Sequence, residues 1–518
     1  MTGKKFCQKA WVKSINYPAI PLHELLSRAA ENYPEKTAIV YEEQEITYAK
    51  LDYLTNQFSD LLLKLKIKKN DRIALYLPNT PQFIIAFFGA LKAGTTLTTI
   101  NPLHREREVE CQLCDSGAET IVTIESLAPI VSKVMKKTKI KNMITTKLTD
   151  ISFLNLPDGF SDKQPIDIQP NDLAALQYTG GTTGTLKAAV LTHRNLVANA
   201  IQFATVIGGT SADIFLAALP LFHIYGMTTS MTVPIRLCAK MVLMPKFQPV
   251  KTCEYIQQHK VTVFCGVPTM YQLLLDNPAF AKYDLTSIRV CISGASALPP
   301  QVQKCFMQFT SGFLAEGYGL TEASPVTHCN PIDKEMLRIG SIGLPLPDTE
   351  AKIVDLETGT STLKTGEVGE LAIKGPQVMV GYWQKPEETA LVLHDGWLLT
   401  GDVARIDQDG FFYIIDRKKD IIKHKGYSIY PRELEDILYE HPSVKICAVV
   451  GKPIELGNEV PVAFIVLKDG AVVTKEELMA FVNGKVGNYK AIYRVELCSG
   501  LPLNAQGKVL RRILRGIV

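Results

Sequence analysis

Apolar residues first recur at helical spacing at Leu22, Leu25, Leu26, Ala29 and Ala30. Residues 37–41 and 72–76 read as short strands, and 81–92 as a helix with Pro81 in its first turn. Strands alternating with helices predict a layered α/β architecture. Further apolar runs at 173–177, 261–265 and 290–293 read as buried strands, with no internal repeat or low-complexity segment. Over residues 340–416 Gly and Pro become frequent, and segments 351–354, 369–373 and 410–415 alternate, which predicts a β-rich subdomain. A charged stretch, Asp416 to Asp420, marks a boundary. Beyond it a small α+β unit is expected, with helices at 431–440 and 475–486 and strands at 446–450 and 462–467. The division is thus 1–416, a linker 417–420, and 421–518.

The chain of 518 residues is 46% hydrophobic, enough for a large core. Its 56 basic and 52 acidic residues leave a net charge of +4, which gives no reason to expect nucleic-acid binding. The densest basic run, Lys133 to Lys141, reads as a solvated helix face. The 11 cysteines lack framework spacing, which fits reduced thiols in the cytoplasm. Cys111 and Cys114 form the one CxxC, read as a helix face because a zinc site usually needs a second pair. No apolar signal segment opens the chain, and the stretch 83–90 is too short to span a membrane. Peripheral membrane contact stays open, as do monomer and homodimer.

Four motifs carry candidate chemistry. Tyr178-Thr-Gly-Gly-Thr-Thr-Gly-Thr-Leu-Lys187 follows a predicted strand. Its glycines Gly180, Gly181 and Gly184 let the backbone approach an anion, and Thr179, Thr182 and Thr183 supply hydroxyls to a phosphate. The spacing is not that of a Walker A loop, and a flexible linker is the alternative. In Glu316-Gly-Tyr-Gly-Leu-Thr-Glu322, Gly317 and Gly319 free the backbone around Tyr318, which could stack on a purine. Thr321 adds a hydroxyl and Glu322 a hard oxygen ligand for Mg²⁺. Asp402, in Thr400-Gly-Asp402, and Arg417 could hold a ribose, although a β-turn explains the first motif alone. Lys508, in Asn504-Ala-Gln-Gly-Lys508, could carry an ammonium into a distant site or be a solvated tail lysine.

In this order and at these separations, the four motifs resemble the adenylate-forming superfamily. That family holds acyl- and aryl-CoA synthetases, firefly-type luciferases and the adenylation domains of peptide synthetases. The likeness extends through Pro220–Gly226, 293–298, 340–345 and 375–379. It implies a large N-terminal domain of layered sheets and helices with a β-rich subdomain, plus a small mobile α+β C-terminal domain that turns on a hinge at Lys419. It further implies that residues 179–187, with Lys187, hold the triphosphate of ATP. Ala295, Ser296, Ala297 and residues 316–319 would border the adenine, and Thr321 would meet the α-phosphate. Glu322, with Thr179, would hold Mg²⁺, while Asp402 and Arg417 bind the ribose. Lys508 would serve adenylation, and Lys423, Lys425, Gly426 and Tyr427 would form the coenzyme A tunnel after rotation. His223 would gate an acyl pocket lined by Tyr225, Gly226, Met227, Thr229 and Val326. The chain departs from the family pattern at Leu186-Lys187-Ala188 in place of Pro-Lys-Gly, at Ala297 in place of a proline, and at Ser428 in place of Gln or Asn.

The chain ends ten residues after Lys508, which disfavours a peptide-synthetase domain. The loop and the segment 395–402 look most like medium- or long-chain fatty acyl-CoA synthetases, so a small-molecule carboxylic acid is the expected partner. Aryl-CoA ligases of the 4-coumarate type are the alternative, and a catalytically inactive binding protein a distant one. The apolar lining offers no Lys or Arg for a second carboxylate.

Overall fold

The computed structural model describes residues 12–147, 166–179, 186–425, 427–455, 458–503 and 509–518. These residues form two compact units. The first comprises residues up to 179, 186–350 and 374–398, and the second 351–373 and 399–518.

Two large sheets organise the first unit. One runs in the order Leu344–Pro345, Val326–Cys329, Phe313–Gly319, Val290–Ser293, Val263–Gly266, Ile214–Ala217, Lys240–Leu243, Thr37–Tyr41, Gln44–Thr47. Its centre is parallel, with Val263, Val290 and Phe313 in register. The other runs Gly381–Tyr382, Lys187–Thr192, Leu173–Thr179, Thr96–Thr99, Arg72–Tyr76, Thr120–Ile124, Asn142–Thr146. Strands with helices on their faces are buried on both sides, so they read as continuous apolar runs rather than alternating ones.

The helix Pro81–Lys92 begins with proline and is buried along its length apart from Lys92. An all-round apolar helix belongs in a core, and here it crosses Tyr48–Lys64 closely. A Cβ at Gly89 would lie 2.7 Å from the Thr55 carbonyl oxygen. Lys92 ends the apolar run in a 2.6 Å ion pair with Asp52. The helix His193–Val206 starts with a capping box, in which Thr192 accepts from the Asn195 N–H and Asn195 from that of Thr192. It is almost wholly buried, and its polar side chains act as struts. Asn195 donates to the carbonyls of Pro376 and Val378, and Asn199 holds both the N–H and C=O of Val326.

In the second unit, Glu350–Val354, Gly369–Lys374 and Trp397–Ile406 lie side by side, with Phe412–Arg417 along the last. Further on, Val444–Pro453 and Glu459–Leu467 form a long antiparallel pair, and Arg494–Leu497 adds to it in parallel. Pro431–Tyr439 and Lys475–Asn483 cover this sheet, burying Leu434, Leu438, Val449, Ile465, Leu478 and Val482. Arg511 anchors the last helix, Arg511–Arg515, through a 2.6 Å pair with Glu435.

The α/β class expected from the sequence is the class observed. Individual elements shift by a few residues. The strand expected at 446–450 spans Val444–Pro453, because cross-strand pairing with Glu459–Leu467 extends it at both ends. Lys133, Lys137 and Lys141 are solvated and pair with Glu106, Glu110 and Glu119. Cys111 and Cys114 lie exposed on the helix Glu106–Ser116. Among the described residues no helix is long and apolar enough to cross a membrane.

Candidate active site

The strands Leu173–Thr179 and Lys187–Thr192 are antiparallel and paired up to their last residues, Thr179 opposite Lys187. Residues 180–185, which join them, lie outside the described residues, so Gly180, Gly181, Thr182, Thr183 and Gly184 are not placed. The rails themselves are fixed. Thr179 Oγ1 donates to the Lys187 carbonyl at 3.4 Å. Lys187 Nζ sits 2.6 Å from Glu388 Oε2 and 5.2 Å from the centre of the Tyr382 ring.

The turn 294–297 and the segment 317–319 follow the adjacent parallel strands Val290–Ser293 and Phe313–Gly319, with Ser293 in register with buried Glu316. The crevice beyond the carboxyl ends of such strands is the usual ligand position in open α/β sheets. Ala295 (φ 69°) turns the chain there, leaving Ala295 and Ser296 exposed and Ala297 half-buried. Gly319 is required, since a Cβ would lie 2.2 Å from the Pro325 carbonyl oxygen. The Tyr318 ring meets His328 edge-on at 6.0 Å.

Thr321 and Glu322 lie in the 3₁₀ turn Thr321–Ala323, which packs against both rails. Glu322 Oε1 accepts a 2.7 Å hydrogen bond from Tyr382 Oη, and its carbonyl accepts from the Met379 N–H at 2.8 Å. Burial, reinforced by Glu322, holds the Tyr382 phenol well above its ordinary pKa, so it stays a donor at neutral pH. Among the described residues there is no cluster of three or more His, Cys, Asp or Glu able to cage a metal. One carboxylate and neighbouring hydroxyls nonetheless fit Mg²⁺, which usually binds through one or two carboxylates plus substrate phosphates.

His223 caps the short helix Ile224–Met227, its Nδ1 accepting from the Tyr225 N–H at 3.2 Å. The preceding carbonyl, of Phe222, is held by Gln177 at 2.8 Å and Thr99 at 2.5 Å, which ties the His223 turn to the strands Leu173–Thr179 and Thr96–Thr99. Tyr225, Met227, Thr229 and Val326 are all buried. The Tyr225 hydroxyl donates to the carbonyls of Ile292 and Gly266, and burial pushes its pKa far up. Thr229 Oγ1 donates to the Tyr225 carbonyl within the π-helical stretch Thr228–Thr232. Gly226 leaves no room for a side chain, as a Cβ would lie 2.3 Å from the Pro220 oxygen.

The remaining candidates belong to the second unit. Asp402 and Arg417 face each other across paired strands, with Arg417 Nε 2.8 Å from Asp402 Oδ1. Lys419 is exposed in the 3₁₀ turn Lys418–Asp420, beside Lys418, which pairs with Glu370 at 2.7 Å. Lys423 Nζ donates to Ser428 Oγ across the hairpin Ile422–His424/Tyr427–Ile429, so the small hydroxyl at 428 has a partner. Lys425 (φ 49°) turns that hairpin, and its N–H donates to Asn458 Oδ1. Tyr427 is exposed, with its ring 4.6 Å from that of Tyr489. Gly426 and Lys508 lie outside the described residues.

Sequence reasoning missed Tyr382 and Glu388. Neither belongs to a Gly-rich or hydroxyl-rich motif, and each reaches the site only through the sheet edge formed by Gly381–Tyr382 and the short helix Pro386–Ala390 that follows it.

The chain belongs to the AMP-binding enzyme family. The AMP-binding enzyme model matches residues 26–383, and the AMP-binding enzyme C-terminal domain model matches 433–508. The chain is 41% identical to a long-chain-fatty-acid–CoA ligase of Bacillus subtilis, over 96% of this chain and 94% of that protein. It is 36% identical to 4-coumarate–CoA ligase 2 of Nicotiana tabacum, over 96% and 94%. Among solved structures, ATP-bound MatB from Rhodopseudomonas palustris superposes with a TM-score of 0.90 at 28% identity, covering 96% of this chain and 99% of that one.

Proposed function

We propose that this protein is an AMP-forming acid–thiol ligase that converts a medium- or long-chain fatty acid to its acyl-CoA through an acyl-adenylate. The observation that carries the reading is Glu322, fixed by Tyr382 in a turn packed against the phosphate-loop rails. The near full-length likeness to a long-chain-fatty-acid–CoA ligase supports the choice of acid.

A carboxylate is a poor acyl donor, because its leaving group would be an oxide. In the first step a carboxylate oxygen attacks the α-phosphorus of ATP and the bond to pyrophosphate breaks. In the second the thiol of coenzyme A attacks the acyl carbon and AMP leaves. Two anions approach in the first step, so fixed positive charge lowers its barrier. Lys187 and the loop hold the triphosphate, Thr321 the α-phosphate, and Lys508 the reacting oxygens. Bound Mg²⁺, held by Glu322 with Thr179, supplies charge neutralisation on the phosphates. Residues 295–297 and 316–319 border the adenine, with Tyr318 against its face, and Asp402 with Arg417 takes the ribose. His223 closes the acyl pocket of Tyr225, Gly226, Met227, Thr229 and Val326. The segment beyond Lys419 then turns on that residue, and Lys423, Lys425, Gly426 and Tyr427 guide the thiol. We place the reaction in the cytoplasm, on a monomer or homodimer, with peripheral lipid contact where a fatty acid leaves a bilayer.

The test is mass-spectrometric detection of acyl-CoA and AMP with ATP, Mg²⁺, CoA and acids from acetate to stearate, plus benzoate and 4-coumarate. Fatty acyl-CoA with equimolar AMP is expected. Preference for 4-coumarate would move the protein to the aryl branch, and binding of ATP without turnover of any acid would mark an inactive binding protein.

A further inference from the structure

The strand Gly381–Tyr382 is short and is held on one side by the helix that follows it, the Tyr382 N–H donating to Thr389 Oγ1 at 2.9 Å, and on the other by the strand Lys187–Thr192. Val380 N–H donates to the Val190 carbonyl at 3.0 Å and Trp383 N–H to that of Ala188 at 2.8 Å, fixing it along Lys187–Thr192. The Trp383 indole donates at 3.2 Å to the carbonyl of Asp115. The Asp115 side chain in turn accepts a 2.6 Å bond from the hydroxyl of Tyr178, the residue before Thr179. Between these anchors Tyr382 touches two candidate site residues at once. Its hydroxyl is 2.7 Å from Glu322 Oε1, and Lys187 Nζ lies 5.2 Å from its ring centre.

We propose that Tyr382 is the positioning residue of the metal carboxylate: its phenol fixes the Glu322 rotamer and leaves Oε2 for the cation. This rests on the reading of Glu322 as the Mg²⁺ ligand. A glutamate side chain has three rotatable bonds, and freezing them opposes metal binding. A hydrogen bond that holds the carboxylate in one rotamer lowers that cost in metal binding. The donor must also be neutral. An ammonium at this place would cancel the charge that attracts a cation, whereas a phenol orients the carboxylate and leaves it anionic. The main chain of the same segment contributes, since Met379 N–H holds the Glu322 carbonyl at 2.8 Å. The ring face toward Lys187 is within the ~6 Å range of cation–π attraction. One side chain thus orders the carboxylate for the metal and the cation for the phosphates, although 60 residues separate Tyr382 from Glu322 in the chain.

The test uses the full chain and Mn²⁺ as the probe, titrated by electron paramagnetic resonance with and without α,β-methylene-ATP. Tyr382→Phe keeps the ring and removes only the hydroxyl. In it, Mn²⁺ affinity in the presence of the nucleotide is expected to fall about tenfold, equivalent to ~1.4 kcal/mol. Metal-free nucleotide affinity and melting temperature should hardly move. Tyr382→Met, which also removes the hydroxyl and fills the space with an adaptable apolar side chain, is expected to show the same loss, and it carries the test if the Phe variant does not fold. Glu322→Gln is run beside them. If Glu322→Gln loses the metal and Tyr382→Phe binds it like the wild type, the positioning role is overturned and the ligand reading stands. If Glu322→Gln binds Mn²⁺ normally, the ligand reading itself fails, and this inference with it.

Discussion

Lys187 Nζ and Glu388 Oε2 lie 2.6 Å apart, so the lysine that opens the strand Lys187–Thr192 is paired with a carboxylate. The pair is partly exposed, at 28% and 30% of each side chain. Pairs of that kind are worth ~0.2–1 kcal/mol. With Lys187 as the proposed triphosphate ligand, the nucleotide would have to displace Glu388 to gain it. In Glu388→Gln the KM for ATP is therefore expected to fall by up to about fivefold, the factor equivalent to ~1 kcal/mol. The KM for the acid should not change. An unchanged or higher KM for ATP would mean that Lys187 does not exchange partners.

The two half-reactions should separate genetically. Lys508→Ala is expected to slow adenylation by ~10²–10³-fold, as loss of a preorganised charge donor does, and to spare thioester formation from added acyl-adenylate. Lys423→Ala should do the reverse. Pyrophosphate release without CoA, measured beside acyl-CoA output, distinguishes them, and equal loss of both steps in either variant contradicts the rotation of the C-terminal segment.

Gly319 is fixed by contact rather than by dihedral angle, because any side chain there meets the Pro325 carbonyl. Gly319→Ala forces the backbone of the Thr321–Glu322 turn to shift, at a cost of ~1–3 kcal/mol. We expect at least a tenfold loss of adenylation together with a lower melting temperature. Wild-type rates in this variant would mean that the turn relaxes freely and does not position Thr321 and Glu322.

Buried histidines make the first unit acid-sensitive. Burial lowers His193 to about 3 and His23 to about 4, with smaller contributions from His23 on the former and Lys92 on the latter. His193 Nδ1 accepts from the Leu22 N–H at 3.0 Å, a bond that protonation at Nδ1 would break. The unfolded chain takes up these protons near pH 6.5, and the folded chain resists them. Their contribution is complete above 6.5 and is lost as pH falls toward 3–4, by up to ~1.4 kcal/mol per pH unit for each group. Urea midpoints should be level between pH 7.5 and 6.5 and fall between 6.5 and 5, and fall less in His193→Asn, which keeps an acceptor without a titrating ring. Parallel slopes for the two proteins would remove His193 from the explanation.

The layered class, the helix at Pro81 and the C-terminal α+β unit were legible because each rests on local pattern: a proline start, an apolar period, a run of β-branched residues. Asp402 and Arg417 were legible together from their motif and the family resemblance, and adjacent antiparallel strands bring them face to face. Glu388 and Tyr382 were not. Their partners Lys187 and Glu322 come from distant parts of the chain, and only the pairing of Gly381–Tyr382 with Lys187–Thr192 carries them there. The π-helical stretch Thr228–Thr232 was invisible for a different reason. Its threonines are buried with their hydroxyls turned on nearby carbonyls, so polarity does not mark its faces.

The edge strand at 381–382 also sets an order of assembly. The chain leaves the first unit at residue 350, returns to it at 374 and leaves again at 398. A polypeptide emerging from the ribosome would have made both rails of the phosphate loop almost two hundred residues before the strand that flanks them exists. Until residue 383 emerges, Glu322 lacks its phenol and Tyr178 lacks the tryptophan that shares its aspartate anchor. A nascent chain arrested before this point would carry the motifs that name the family and still lack the strand that orders them, so competence for nucleotide binding is expected to arrive late in synthesis.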